Sequence, residues 1–155
     1  MSLGLLLVFG HITVMTAAVV ISYGPSLMFQ LAARTGQVAP VRALSVPTAL
    51  GLWIPILYVL GGILGLATAV NYGHNLLAPW LVIAYVLWTI AMINGAAIHA
   101  PYFRRIAAVA VKTTDGPLTG ELMSLVADRR ERIAAAVDYV IIVAILFDMV
   151  VKPFS

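Results

Sequence analysis

The fold class predicted by the sequence is all-α, an integral membrane up-down four-helix bundle forming a single transmembrane domain over residues 1-155, and three observations predict it. Hydrophobic residues make up 63% of the chain and charged residues 10%, with a mean hydropathy of +1.05, far from the balance of a soluble domain. Four apolar runs each approach the roughly 20 residues needed to cross about 30 Å of hydrocarbon. The connections between runs are short, which makes consecutive helices antiparallel neighbours.

The first span is expected over about 3-28, where LLLVFGHITVMTAAVVISYG carries no basic leader ahead of its apolar stretch. It is therefore read as retained, not as a cleaved signal. The second span is expected over about 48-70. Its GGILG sets Gly61 and Gly65 four residues apart, a spacing that lets another helix approach closely. Packing inside the bundle is the first use of such a face, and dimerisation the second.

The third span is expected over about 77-99, with a helical extension over about 102-112 after Pro101. TTDGP then signals a reversal, with Pro117 suited to the first turn of a new helix. That helix is expected over about 118-133 as a solvated extension of mixed charge, running into the fourth span over about 134-151.

Eight of the nine Lys and Arg lie in two loops. Arg34 and Arg42 separate the first two spans, and Arg104, Arg105, Lys112, Arg129, Arg130 and Arg132 separate the last two. The positive-inside rule places both loops in the cytoplasm of a multi-pass cell-membrane protein, with N- and C-termini outside. These basic residues are expected to set topology and to meet anionic lipid headgroups. Nucleic acid is not an expected partner despite a pI near 9.5. The chain has no cysteine, which excludes disulfides, thiolate metal sites and thiol nucleophiles. Met15, Met28, Met92 and Met149 fall on three spans without the close pairing that soft copper ligation requires.

Ionisable groups in hydrocarbon cost about 2.5 kcal/mol or more and ask for a reason. His99 and Asp138 fall at one depth at the inner ends of the third and fourth spans, a weaker candidate site most simply read as a polar cluster holding helix ends together. Asp148 and Lys152 are four residues apart near the outer end and are expected to pair as an anchor. His74, in the loop NYGHN, is expected to be solvated.

His11 has the least bland explanation. It lies roughly 12 Å below the outer edge at 1.5 Å per residue, too deep to reach water easily. It shares a helix face with Met15, Ala18 and Ser22, where small residues leave room for something flat. Hydrogen bonding to a neighbouring carbonyl or tyrosine, proton transfer and haem ligation are the uses open to it. The facing level of the third span falls near Tyr85 to Trp88 if the helices are antiparallel and in register. His99 is some ~20 Å away along the membrane normal and could not grip the same iron.

Two segments resemble a known family. FGHITVMTAAVVISYGPSLMF is similar to the first span of HemJ-type protoporphyrinogen oxidases, and IIVAILFDMVVKPFS to their fourth span with its Val-Lys-Pro-Phe tail. The same layout resembles a broader group of predicted integral membrane proteins that includes the copper resistance D-like domain. The resemblance implies that His11 is the axial ligand of a haem b and that Val151, Lys152, Pro153 and Phe154 match the tail. Met15 and Ser22 on the His11 face and Tyr85 at the facing level are the further cofactor-binding candidates. Those enzymes carry arginine after the proline, where this chain has Ser26, and a lysine where it has Ala84. The resemblance is therefore to the wider group.

The expected function is a haem b-binding membrane protein with a redox or electron-transfer accessory role, working with a membrane redox partner or as a homo-oligomer. The alternatives are a haem-free structural or assembly subunit of a membrane complex and a porphyrin-oxidising enzyme. The last needs an anchor for substrate carboxylates, for which Arg34, Arg42 and Lys152 are the candidates.

Overall fold

The computed structural model describes residues 2–45 and 50–152. The expected start of the second span near residue 48 and the tail residues Pro153 and Phe154 lie outside them. The described chain is all-α: α1 (Leu3–Arg34), α2 (Val38–Ser45), α3 (Leu50–Asn71), α4 (Pro79–Asn94), a π-helical turn (Gly95–His99), α5 (Ala100–Ala110), α6 (Gly120–Val126) and α7 (Arg129–Val151). Four stretches are long and apolar enough to cross a membrane: Leu3–Arg34, Trp53–Asn71, Pro79–Ala110 and Gly120–Val151.

The Ser2 hydroxyl caps α1 by accepting the Leu5 N–H at 3.4 Å. Pro25 sits inside α1 and lacks the N–H that would continue the ladder. Beside it the Ser22 and Ser26 hydroxyls donate back along the helix to the Ala18 and Ser22 carbonyls at 2.7 and 3.1 Å, which satisfies both hydroxyls within α1. Gly36, at φ +66, turns the chain from α1 into α2. Pro79 opens α4 where its missing N–H costs nothing. The Asp128 carboxylate caps α7 by accepting the Arg130 N–H at 2.7 Å.

The spans pair as α1 with α3 and α4 with α7. Tyr23 and Tyr139, with ring centroids 5.2 Å apart, link the two pairs, and Trp88 of α4 reaches Gly62 of α3. The outward faces of the spans are apolar, with Phe9, Ile63, Val86 and Val143 all exposed, as a hydrocarbon solvent requires.

The basic end is built differently. Phe29, Val38, Val41, Tyr102, Ile106 and Leu122 form a hydrophobic core in which α2 and α6 pack against the ends of α1 and α5. Arg42 ties this layer to the α5 terminus. Its Nε donates to the Ala110 carbonyl at 2.8 Å, one Nη donates to the Thr113 carbonyl, and the other pairs with Asp115 at 2.9 Å. Within the stretch expected as a solvated extension, Leu122 and Leu125 pack into this layer, while Glu121, Arg129, Arg130 and Arg132 are exposed.

Candidate functional sites

The glycine spacing on α3 receives α1. His11 Nδ1 lies 2.8 Å from the Gly61 carbonyl oxygen. A Cβ on Gly65 would stand 2.8 Å from His11 Cε1, and one on Gly61 would run into the Met15 side chain. Gly65 therefore lets α1 and α3 close over the rigid imidazole, whereas at Gly61 the obstacle is a flexible thioether. A carbonyl oxygen only accepts, so His11 Nδ1 is the donor. In the neutral ring, Nε2 then carries the lone pair.

The other residues expected beside a cofactor are spread more widely. Ser22 lies three turns further along α1, with its hydroxyl on the Ala18 carbonyl. Tyr85 is on α4 with 38% of its surface exposed. From α4, Trp88 packs over Gly62 of α3, and Trp80 and Leu81 share a buried cluster with Ala69 of α3.

At the basic end His99 stands between two carboxylates. Its Nδ1 is 2.7 Å from Glu131 Oε1, and its Nε2 is 2.9 Å from Asp138 Oδ2. Asn94 Nδ2 donates to the other Asp138 oxygen, Oδ1, at 2.8 Å. Asp138 is buried at 4% exposure, and Glu131 Oε2 is buried with no partner among the described residues.

The backbone explains the convergence. Glu131 and Asp138 are seven residues apart on α7, close to two full turns, and so share a face. Asn94 and His99 are five apart, which in a regular α-helix puts them about 140° from one another at 100° per residue. The π-helical turn, closed by the Ala100 N–H on the Gly95 carbonyl, adds a residue to that turn and swings both side chains toward α7. Alongside lies a cleft of about 580 Å³ between the third span and α7, whose polar lining includes Asn94, Tyr102, Arg105, Asp128, Arg130 and Glu131.

At the opposite end the expected Asp148–Lys152 pair is not formed. Lys152 leaves the helix in the left-handed region at φ 47, and its N–H donates to the Asp148 carbonyl at 2.8 Å. Its Nζ stands 5.1 Å from the centre of the Trp80 ring, a cation–π contact, while both Asp148 carboxylate oxygens are buried without a partner among the described residues. His74 is exposed but rests edge-on against Trp80 at 5.4 Å.

Sequence reasoning missed Glu131 and Asn94. The seven-residue spacing of Glu131 and Asp138 was a readable signal, masked by the mixed charges around it. For Asn94 no helical spacing gave one. The chain matches no protein-family model, no curated protein and no solved structure.

Proposed function

We propose that this chain is a membrane-embedded haem b protein with a redox or electron-transfer accessory role, and that His11 Nε2 is its axial ligand. One observation carries the reading: the Nδ1–H of His11 is given to the Gly61 carbonyl. Metal-ligating histidines characteristically donate their second ring nitrogen in this way, which fixes the tautomer and the ring orientation and raises the basicity of the ligating nitrogen. A lone imidazole nitrogen would supply one ligand to a haem, which when bound would supply one-electron chemistry at its iron. Gly65 holds the ring by direct contact and Met15 fills the next turn, so the α1–α3 seam is occupied and a porphyrin would not lie within it. Tyr85, exposed on α4, is not assigned the opposite position.

Of the candidate anchors for the porphyrin-oxidising alternative, Arg42 is committed to the α5 terminus and Asp115 and Lys152 lies over Trp80, which leaves Arg34, exposed at the end of α1. The haem-free structural subunit is favoured by a specific feature, the same His11 acting as a bolt between α1 and α3. An absorption spectrum separates the two readings. The protein purified after expression with ample haem is expected to show a Soret band that His11→Ala abolishes and His74→Ala leaves intact. A wild-type protein with no Soret band leaves the structural reading standing.

The proposed location is the cell membrane, with both basic loops in the cytoplasm and both termini outside. A cysteine placed at Asn75 is expected to react with an impermeant thiol reagent added from outside, and one at Thr114 to be protected. The reverse pattern inverts the orientation.

A further inference from the structure

We infer that Glu131, His99 and Asp138 form a proton-holding relay with its mouth at the basic end of the bundle. The inference is independent of the haem reading. It begins with a count of protons. Ionised carboxylates only accept hydrogen bonds, and a neutral imidazole has one N–H. His99 nevertheless has a carboxylate oxygen within 2.9 Å of each ring nitrogen. Two protons are needed to make both contacts attractive. Either the ring is an imidazolium between two carboxylates, or it is neutral and one carboxyl is protonated. Both distributions give the three groups a net charge of −1, and they interconvert by moving a single proton along a single hydrogen bond.

The two carboxylates are not equivalent. Asp138 has its second oxygen occupied by Asn94, which closes that end. Glu131 has its second oxygen, Oε2, buried without a partner among the described residues, and its side chain lines the cleft at the basic end. Glu131 is therefore the receiving group and Asp138 the inner one.

The charged surroundings of the mouth are mixed. From the third span, Tyr102 and Arg105 face the cleft. From α7 and its cap come Asp128 and Arg130, with Arg132 close enough to act on Tyr102. The arginines balance the negative charge of the cluster and do not set the direction of transfer, which rests on the two unequal carboxylates. On the inner side Tyr23 of α1 and Tyr58 of α3 lie within electrostatic reach of Asp138, and Tyr23 also meets Tyr139 of α7.

The step balances as follows. With the ring as imidazolium, a hydronium ion in the cleft breaks one of its O–H bonds and is left as water, and its proton forms an O–H bond at Glu131 Oε2. The Nε2–H bond of His99 breaks and its proton bonds to Asp138 Oδ2. The ring is left neutral with its Nδ1–H on Glu131. One proton has entered at Glu131, one has appeared at Asp138, and the cluster has gone from −1 to 0. A purely structural cluster needs only Asn94, His99 and Asp138. It has no use for a second carboxylate with an idle buried oxygen.

The test uses the full chain with 15N-labelled histidine in lipid nanodiscs. The three histidines are distinguished by His11→Ala and His74→Ala. Wild-type His99 is expected to show hydrogen-bonded protons associated with both ring nitrogens. Their exchange with solvent is expected to slow by at least about tenfold in Glu131→Gln, since an amide cannot carry a proton inward. Glu131→Asp is expected to keep exchange fast, and Asp138→Asn not to slow it. Loosening of a merely structural cluster would speed exchange, so the sign decides. Unchanged or faster exchange in Glu131→Gln overturns the inference. Should that variant fail to fold, the wild type still decides, because a ring with only one hydrogen-bonded proton overturns it as well.

Discussion

At the basic end of the bundle, contacts of 2.7 to 2.9 Å join Asn94, His99, Glu131 and Asp138, whereas at the opposite end Asp148 is buried at 3% exposure with neither oxygen partnered among the described residues. Both carboxylates belong to α7, ten residues and about 15 Å apart along its axis. The difference lies in what the neighbouring helix offers. Against Asp138 the third span has spent a π-helical turn to present an amide and an imidazole together. Asp148 has no such device, and the lysine one turn beyond it has left the helix. A carboxylate in a membrane helix therefore says little by itself. Whether it is fixed or idle is decided by irregularities in the helix beside it.

Shape-matched substitutions sharpen this comparison with the largest expected effect. Leucine copies the branching of aspartate without its polarity. Asp138→Leu strands Asn94 and leaves His99 with one acceptor, and breaking a buried pair from one side is expected to cost about 3–5 kcal/mol. Asp148→Leu removes a group that has no partner to strand, and is expected to be stabilising by about 1–3 kcal/mol, the cost of an unsatisfied buried polar group. Unfolding midpoints of the two variants in one detergent test this directly. Opposite signs support the contrast, and equal destabilisation would mean that Asp148 has a partner after all.

What was legible in the sequence divides along the same line. The four spans could be read because a bilayer demands only length and apolarity, and Phe9, Ile63 or Val143 satisfy that demand on any face. The meeting of His99 with Asp138 followed from depth arithmetic along antiparallel spans. Glu131 was hidden among Asp128, Arg129, Arg130 and Arg132, a run whose mixed signs resemble a solvated face. Asn94 was hidden because a five-residue spacing matches no α-helical face, and the π-turn that makes it effective leaves no compositional mark beyond Gly95. The Asp148–Lys152 pairing failed because the i+4 rule presumes a helix that continues, whereas Lys152 is its left-handed terminus.

The smallest expected effect separates two residues that the sequence treats alike. Gly61 and Gly65 share one face of α3 and both contact α1, but different side chains press on them. Alanine at Gly65 would set its Cβ 2.8 Å from Cε1 and 3.0 Å from Nδ1 of His11, a flat rigid ring already tied to the Gly61 carbonyl. The ring cannot withdraw without giving up that hydrogen bond, so overpacking of about 1–3 kcal/mol is expected, less the roughly 1 kcal/mol that alanine gains over glycine inside a helix. Alanine at Gly61 instead meets the far end of Met15, whose Cγ would be 3.0 Å away on a chain with three rotatable bonds. The thioether can turn aside, the helix gains its propensity term, and Gly61→Ala is expected to be close to neutral. Unfolding midpoints in one detergent measure both, and the imidazole resonances of His11 report whether the ring has moved, as expected for Gly65→Ala alone. Equal costs at the two positions would show that backbone approach of α1 to α3, and not the rigidity of the imidazole, sets the price of closing this seam.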